Sequence, residues 1–311
     1  MNDPRPFSRG RALVTGAYGF VGRHVARRLA ADGYHVTGLG HGNWVGEDPV
    51  SWGIASWHSA DVDGETLAEH GGTPDLIAHC AGSGSVAYSL ERPREDFRRT
   101  VDATLAVLDF VRMHRPDARV VLPSSAAVYG LAETLPIAVD APLRPLSPYG
   151  VHKKMAEDLA RSYATHFGVR VAIVRLFSVY GPGLRKQLLW DACRKIAAGP
   201  AGFGGDGEET RDWLHVEDAA TLLAAAAQAA STECPVVNGG IGEAVTVRAV
   251  VDRLAERLGG GPVSFTGTIR PGDPRHFLAD VDGSLALGWR PMRTLDDGLD
   301  AYAAWYRGQA A

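Results

Sequence analysis

The chain has 311 residues, of which 45% are hydrophobic and 22% charged, as is usual for globular proteins. It carries 32 lysines and arginines against 36 aspartates and glutamates, a formal charge of −4, which argues against a nucleic-acid-binding protein with a broad basic surface. The three cysteines are widely spaced and the 11 histidines form no metal-binding motif, so we predict neither a disulfide framework nor a metal site.

The first 177 residues alternate short β-branched runs with amphipathic helical patterns. Strand–helix–strand order predicts parallel pairing, because parallel neighbours need a crossover and helices provide one. Residues 76–78 are apolar throughout, which is typical of a strand covered on both faces. We predict an α/β fold, with strands at 11–15, 34–39, 54–58, 75–79, 119–123 and 170–175, and helices at 20–32, 93–114 and 148–167.

The last third of the chain has a different pattern. Residues 199–207 are rich in glycine, which predicts an irregular segment that faces a ligand or moves. Helices are predicted after it at 216–229, 246–258 and 294–306, with short strands between them. We interpret residues 178–311 as a smaller α/β lobe over the sheet of residues 1–177, with an interleaved chain and a soft boundary.

The pattern offers no export or membrane signal. Residues 1–11 contain two prolines and lack the apolar core of a signal peptide. The longest apolar run, 219–230, is too short for a membrane span and contains Thr221 and Gln228. We therefore expect a cytoplasmic protein that does not associate with membranes.

A glycine-rich turn, TGAYGFVG, links the first predicted strand to the first helix. The free backbone N–H groups and the dipole of a helix N-terminus attract phosphate. Glycines allow the tight turn and the close approach of a pyrophosphate, and the last glycine lets helix and strand pack. We therefore predict a dinucleotide site at Gly16, Gly19, Phe20, Val21 and Gly22.

The end of the second strand bears on the choice of cofactor. An acidic residue there would bind the ribose 2′-hydroxyl of NAD, but the sequence has Gly40 and His41 instead. His41 is able to donate to a 2′-phosphate, so NADP(H) is favoured. NAD remains open, because no arginine or lysine is present to neutralise that phosphate.

Two later strand ends extend the predicted cofactor site. Asp61 and Val62 follow a strand and are placed to hold the adenine. Asp61 is equally suited to capping the next helix. Cys80, Ala81 and Gly82 end another strand on the nicotinamide side.

Tyr149 and Lys153 are four residues apart on a predicted helix and therefore share one face. A phenol has a pKa of about 10, but a neighbouring ammonium and the positive ring of an oxidised nicotinamide favour the phenolate. Ser125, just after the strand at 119–123, is able to share the substrate oxygen with the tyrosine. Together they fit proton transfer at a hydroxyl while hydride moves at the carbon bearing it. Alone, Tyr-x-x-x-Lys is more often a surface pair; its place after the serine and the glycine turn favours catalysis.

Seven ordered motifs, TGAYGFVG, HCAG, PSSAAVYG, YGVHK, RLFSVYGPG, TRDWLHVED and RPGD…AD…GW, resemble the extended short-chain dehydrogenase/reductase family. The nearest branch contains nucleotide-sugar epimerases, dehydratases and 4-ketoreductases. The resemblance spans nearly the whole chain and implies a Rossmann-type, doubly wound parallel sheet of seven strands and a C-terminal lobe that binds a nucleoside diphosphate sugar. It also implies a catalytic set of Ser125, Tyr149 and Lys153, and diphosphate contacts from Arg211 and Arg270, which match the bidentate grip of arginine on phosphate.

Some positions depart from this resemblance. The 4,6-dehydratases of the branch carry an acidic pair after the catalytic serine, where this chain has Ala126 and Ala127, so we reject dehydration. Ser178 replaces the usual asparagine and is a further candidate for binding the substrate. Cys193 and His152 fall in plausible substrate neighbourhoods, although such residues are more often packed or solvated on helices.

The other candidate substrate contacts also have explanations that involve no substrate. Lys186 and Gln187 begin a helix and are placed to face the base or the diphosphate; a solvated helix start is the alternative. For Arg211, the alternative to a diphosphate contact is an ion pair with Asp212 or Glu209.

The sequence predicts a redox step at C4 of a nucleotide-linked hexose. An NADPH-dependent 4-ketoreductase is favoured, because the ribose carboxylate of a retained NAD is missing. A 4-epimerase of the UDP-glucose type with retained NAD is the alternative, since much of the branch with Ala-Ala after the serine consists of epimerases. A non-catalytic dinucleotide-sensing regulator is a third, opposed by the complete Ser/Tyr/Lys set. By resemblance, the helices at 93–114 and 148–167 are expected to form a homodimer interface.

Overall fold

The computed structural model describes residues 9–268 and 275–310. The strands are β1 (Arg11–Thr15), β2 (His35–Gly40), β3 (Ile54–Ser59), β4 (Leu76–His79), β5 (Arg119–Ser125), β6 (Arg170–Leu176), β7 (Ser178–Tyr180), β8 (Ala201–Phe203), β9 (Thr210–His215), β10 (Val236–Gly239), β11 (Ala244–Thr246) and β12 (Val263–Phe265). The α-helices are α1 (Phe20–Ala31), α2 (Gly64–His70), α3 (Val86–Glu91), α4 (Pro93–Phe97), α5 (Ala103–His114), α6 (Pro148–Phe167), α7 (Gln187–Ala198), α8 (Val216–Gln228), α9 (Val247–Leu258), α10 (Asp282–Ala286) and α11 (Leu295–Ala310).

The large sheet has seven parallel strands in the order β3-β2-β1-β4-β5-β6-β10. Helices cover both faces, so Leu13 and Val14, neighbours on β1, are both buried and belong to two different apolar cores. This confirms the predicted doubly wound α/β fold and explains its wholly apolar strands. The strand order reverses between β1 and β4, which opens a crevice at their carboxyl ends.

Helix α6 begins and ends at the predicted residues because local signals mark both ends. The hydroxyl of Ser147 accepts a hydrogen bond from the backbone N–H of Gly150 at 3.2 Å, and Pro148 occupies the first turn, where no intrahelical N–H bond is lost. Gly168 ends the helix with a φ of +71°, in the left-handed region that favours glycine.

Two predicted segments differ from the structure. The helix predicted at 93–114 contains a π-helical turn, Arg98–Asp102, between α4 and α5. The prediction of an irregular segment at 199–207 is wrong at β8, which pairs in parallel with β12. The rings of Phe203 and Phe265 lie 5.7 Å apart across this pair, so burial of Phe203 outweighs the poor strand propensity of the glycines around it.

The second lobe contains a small sheet in the order β11-β9-β7, and its apolar core draws on α7, α9 and α11. Between β9 and β11 the chain returns to the large sheet: α8 packs beside α1, and β10 pairs with β6. Within residues 9–268 and 275–310, no helix is both long enough and apolar enough to cross a membrane.

Candidate functional site

The glycine turn crosses the carboxyl ends of β1 and β4. Gly16 has a φ of +66°, and a Cβ atom there would lie 2.6 Å from the backbone nitrogen of Ala81. A Cβ atom at Gly22 would lie 2.1 Å from the carbonyl oxygen of Gly16, so side chains are excluded from both positions. Gly19 precedes α1 and leaves the first turn of the helix uncapped by a side chain. The backbone N–H groups that face a phosphate at such a terminus are those of Phe20, Val21 and Gly22.

A chain of hydrogen bonds fixes the wall of this crevice. The hydroxyl of Thr15 lies 2.7 Å from Nδ1 of His79, and Nε2 of His79 lies 3.1 Å from the hydroxyl of Thr104. Thr104 donates to the carbonyl oxygen of Thr100 at 2.6 Å, so its own oxygen must accept from the imidazole Nε2–H. Thr15 is then the donor to Nδ1. Burial lowers the pKa of His79 to about 3, which keeps the ring neutral.

Because two buried histidines are neutral in the folded chain, we predict that acid lowers its free energy of unfolding. Burial also lowers the pKa of His24, on α1, to about 3. Each imidazole binds a proton near pH 6.5 in the unfolded chain but only near pH 3 in the folded chain, so the free energy of unfolding falls as pH decreases between these values. We expect a loss of about 2 kcal/mol per histidine at about pH 5, measured by urea unfolding.

His24→Gln tests the contribution of one of these histidines. His166, exposed near the end of α6, provides a matched control as His166→Gln. The loss of stability between about pH 7 and about pH 5 should be smaller in His24→Gln than in the wild type and in the control. An equal loss in all three proteins would contradict this assignment.

The adenosine end of the predicted site holds a hydrogen bond between an imidazole and a carboxyl group. Nε2 of His41 lies 2.5 Å from Oδ1 of Asp61, and both side chains are exposed. Asp61 is not the cap of the next helix, because Asp63 is the N-cap of α2 and accepts from the backbone N–H of Thr66. Gly40 ends β2 against the glycine turn. His41 therefore faces a carboxylate where the sequence predicted a donor free to bind phosphate.

The residues that directly follow β4 lie beside Lys153. Burial raises the pKa of the Cys80 thiol to about 12, so this group is neutral near pH 7. The backbone N–H of Ala81 donates to the threonine hydroxyl that begins the hydrogen-bond chain, at 3.3 Å. A Cβ atom at Gly82 would lie 3.8 Å from Nζ of Lys153. Val62, predicted at the adenine, packs against an apolar core.

The three predicted catalytic side chains meet at the edge of the crevice. Ser125 ends β5, and Tyr149 and Lys153 lie on the first two turns of α6. Burial raises the pKa of the Tyr149 phenol, and the neighbouring Ser125 hydroxyl opposes the rise. Nζ of Lys153 donates to the carbonyl oxygen of Pro123 at 3.0 Å, and burial lowers the pKa of its ammonium. The arrangement is able to pass a proton between a tyrosine and a bound hydroxyl.

Lys186 and Gln187 lie over the loop that follows β4. The side-chain amide of Gln187 donates to the carbonyl oxygen of Gly84 at 3.4 Å, and Gln187 has a φ of +67°, which is uncommon outside glycine. Nζ of Lys186 is 3.3 Å from the position that a Cβ atom at Gly84 would occupy. Both side chains thus face the loop that carries Gly82 on the predicted nicotinamide side.

The remaining predicted substrate contacts lie around β7 and β9. Ser178 is half-buried at the start of β7, which pairs with β9, the strand of Arg211. Arg211 donates to two backbone carbonyl oxygens, at 2.8 and 3.1 Å. Its suggested partner Asp212 is directed at the backbone and accepts N–H bonds from Ile241, Gly242 and Ala279. Arg270 lies outside the described residues.

Cys193 and His152 are both packed. Cys193 is fully buried in the apolar core of the second lobe, away from the crevice wall. His152 is buried on α6 and bonded to Asp96. Across the two described stretches, no cluster of three or more histidine, cysteine, aspartate or glutamate residues is arranged to hold a metal ion.

The sequence analysis missed a buried carboxylate behind the catalytic residues. Glu157 is fully buried, accepts from the hydroxyl of Ser124 at 2.5 Å and pairs with Arg175 at 2.8 Å. Glu157 follows Lys153 by four positions, as Lys153 follows Tyr149, and this repeat of polar residues on one helix face was the signal available in the sequence.

Comparison with known proteins places the chain in a family. The sequence profile of the NAD dependent epimerase/dehydratase family matches residues 12–240. A UDP-glucose 4-epimerase of Azospirillum brasilense is 30% identical over 323 residues, covering 96% of this chain and 92% of that protein. A putative UDP-glucose 4-epimerase of Methanocaldococcus jannaschii is 29% identical over 307 residues, covering 95% of this chain and 98% of that protein.

A solved structure agrees with these relatives. MoeE5 in complex with UDP-glucuronic acid and NAD is 32% identical, with a TM-score of 0.87, and the match covers 96% of this chain and 100% of that one. The profile match covers well over half of the chain. The chain therefore belongs to the NAD-dependent epimerase/dehydratase family and is an enzyme of the extended short-chain dehydrogenase/reductase type.

Proposed function

We propose that this enzyme is an NAD-dependent UDP-sugar 4-epimerase. The observation that carries the proposal is the meeting of Ser125, Tyr149 and Lys153 beside the glycine turn. Two similar proteins are named as UDP-glucose 4-epimerases, and MoeE5 is seen with UDP-glucuronic acid and NAD. These similarities favour the epimerase alternative over the 4-ketoreductase that the sequence favoured.

The chemistry divides between the cofactor and the chain. NAD, when bound, supplies the acceptor for hydride from C4 of the sugar and the donor that returns it. The Tyr149 oxygen takes the proton of the C4 hydroxyl and gives it back. The Ser125 hydroxyl, next to Tyr149, holds the same sugar oxygen. Lys153, fixed by the Pro123 carbonyl, holds the nicotinamide ribose and adds a positive charge that favours the phenolate.

The substrate is assigned to the space between α7, β7 and β9. Lys186 and Gln187 reach the Gly84 loop from one side, and Ser178 and Arg211 lie on the paired strands of the other. Arginine grips phosphate oxygens bidentately, so Arg211 suits the diphosphate, with Arg270 as its predicted companion.

The test is a reaction without added reductant. Purified enzyme is incubated separately with UDP-glucose, UDP-galactose, UDP-glucuronic acid and UDP-N-acetylglucosamine, and the C4 epimer is measured by proton NMR. We expect a mixture of epimers to form from at least one of them without net change in cofactor absorbance. Failure to form any epimer, together with stoichiometric NADPH oxidation on a 4-keto sugar nucleotide, would establish the ketoreductase instead.

We propose NAD rather than NADP(H) as the cofactor. The carboxylate of Asp61 is hydrogen-bonded to His41. Its negative charge repels a 2′-phosphate. Arg23, in the first turn of α1, is already committed: it donates to Glu47 at 3.0 Å and to the carbonyl oxygen of Tyr18 at 2.8 Å. We expect the wild type to bind NAD about tenfold or more tightly than NADP, measured by calorimetry.

A variant and a release experiment check this preference. Asp61→Asn removes the repelling charge and should bring the two dissociation constants closer together, whereas Asp48→Asn, on the same surface, should leave their ratio unchanged. Mass spectrometry of the dinucleotide released on denaturation should identify NAD. Recovery of NADP, or tighter binding of NADP by the wild type, contradicts the preference.

We also propose that two copies of the chain associate through α5 and α6. These helices lie side by side, joined by a hydrogen bond of 2.8 Å from the Tyr163 hydroxyl to Asp109, and expose a stripe of large apolar side chains. The stripe consists of Leu105, Met113, Val151, Met155 and Phe167. Light scattering should show a dimer for the wild type and a monomer for Met155→Glu, because a charge in an apolar interface is costly. Met292→Glu, at a more exposed methionine remote in sequence, should remain dimeric. A monomeric wild type would overturn the proposal.

A further inference from the structure

A buried acid–imidazole pair lies on the segment that supports the catalytic residues. Oδ2 of Asp96, on α4, is 2.5 Å from Nδ1 of His152, on α6. The Asp96 side chain is fully buried, and that of His152 is 11% exposed. The ring of Phe97 packs edge-on against the imidazole, with centroids 5.4 Å apart. Neither cofactor binding nor the proposed reaction uses this pair directly. Because burying polar groups is costly, we expect the pair to have a different role.

The pair is placed to set the position of the catalytic helix face. Tyr149, His152 and Lys153 are spaced i, i+3 and i+4, so His152 belongs to the face that carries the other two. A second anchor lies beside it, because the backbone N–H of Tyr149 donates to the hydroxyl of Ser89 at 3.0 Å. Ser89 and Asp96 are both fully buried. The first turns of α6 are thus tied to α3 and α4 through two buried polar groups.

Asp96 is also an acid near Lys153 that has no arginine or lysine partner among the described residues. The groups that favour the Lys153 ammonium are Cys80, Asp96 and Glu157. The Cys80 thiol is neutral near pH 7, and Glu157 is paired with both Arg175 and Arg161.

The carboxylate of Asp96 is only half satisfied by its surroundings. Its Oδ1 atom is buried and has no hydrogen-bond partner among the residues that the structure describes, and its Oδ2 atom faces only the imidazole of His152. An incompletely solvated carboxylate exerts a strong field on nearby ionisable groups. Burial is the main cause of the raised pKa of the Tyr149 phenol, and the Asp96 charge adds to the rise.

We propose that Asp96 and His152 are positioning residues: their hydrogen bond orients the face of α6 that bears Tyr149 and Lys153, and the Asp96 carboxylate beside that face sets a negative field at both groups. The inference rests on the proposed function only in its kinetic readout. The effect of the Asp96 charge and the effect of the Asp96–His152 hydrogen bond can be tested separately. The charge belongs to Asp96 alone, whereas the hydrogen bond needs both residues.

Asp96→Asn tests the charge, because asparagine keeps the size of the side chain and an acceptor for His152. Loss of a negative charge favours the phenolate and disfavours the ammonium, so both limbs of the pH profile of kcat/KM should move to lower pH, by about 1 unit. The Tyr149 titration should move likewise, read as the ultraviolet difference between cofactor-bound Asp96→Asn and the same protein with Tyr149→Phe added. Asp158→Asn, an exposed acid on α6, should leave both curves in place.

His152 tests the anchor. We expect His152→Ala to lower kcat by about tenfold or more with little change in KM, because the reacting groups are misplaced after binding. His152→Asn retains a donor near Nδ1 and should recover most of that loss.

The possible results separate this inference from the proposed function. A profile and a titration that do not move in Asp96→Asn overturn the role of the charge, and equal activities of His152→Ala and His152→Asn overturn the role of the anchor. The phenol titration needs no sugar nucleotide. A shifted titration in a protein that epimerises nothing would refute the proposed function and keep the role of Asp96.

Discussion

Tyr149→Phe is expected to lower kcat for C4 epimerisation by about 10³-fold while leaving dinucleotide binding unchanged. The substitution removes one oxygen, and general acid–base catalysis by a positioned side chain contributes roughly 10²- to 10⁴-fold. The ring remains in place, and neither the glycine turn nor the Lys153 bond to Pro123 involves the phenol oxygen. Steady-state kinetics and calorimetric titration with NAD measure the two effects separately.

The control for this experiment is the same substitution at a tyrosine that has no part in the proposed reaction. Tyr88, half-buried on α3, is suitable as Tyr88→Phe and should retain wild-type kcat. Ser125→Ala should give a smaller loss than Tyr149→Phe, because the serine shares the sugar oxygen but need not accept its proton. Wild-type turnover by Tyr149→Phe would remove the tyrosine from the mechanism.

Glu157→Gln is expected to lower the free energy of unfolding by about 3 to 5 kcal/mol, because it leaves Arg175 charged in the interior without its partner. The Arg175 side chain is 2% exposed and that of Glu157 is fully buried, so water is unable to replace the lost contact. Urea unfolding monitored by circular dichroism gives the change.

A double-mutant cycle shows whether the loss arises from the pair. Arg175→Met alone should also destabilise, and the combination with Glu157→Gln should cost less than the sum of the two, by about 1 kcal/mol or more. Glu133→Gln, which breaks an exposed ion pair with Arg144, is the matched control and should change stability by less than about 1 kcal/mol. Additive losses in the buried pair would contradict the coupling.

Predictions from the sequence were most accurate where the signal is local. The bounds of α6 follow from Ser147, Pro148 and Gly168, and β1 follows from an apolar run that ends at the glycine turn. The helix at 93–114 was found but not its π-helical turn, because periodicity does not register one residue of extra winding. Strand β8 was missed because Phe203 is stabilised by Phe265, a partner far along the chain.

In the candidate site, too, the features with a local signal could be predicted and those that depend on distant residues could not. The glycine turn and the Tyr149/Lys153 spacing are readable from the sequence, because each depends on the geometry of one turn or one helix face. The hydrogen bond between His41 and Asp61 was not readable, and it reverses the cofactor preference that we infer. A residue's type indicates what it is able to bind, whereas its neighbours decide what it does bind.

The parallel α/β architecture, the glycine turn and the three candidate catalytic side chains could be predicted from the sequence. These depend on apolar periodicity, turn chemistry and short spacings, which act within a few residues. The partners of His41, Glu157 and Asp96 became visible only in the folded chain. The Asp96 and His152 side chains are 56 positions apart, and only the packing of α4 against α6 brings them within hydrogen-bonding distance. Burial and charge at the site are properties of that packing and have no local signature in the chain.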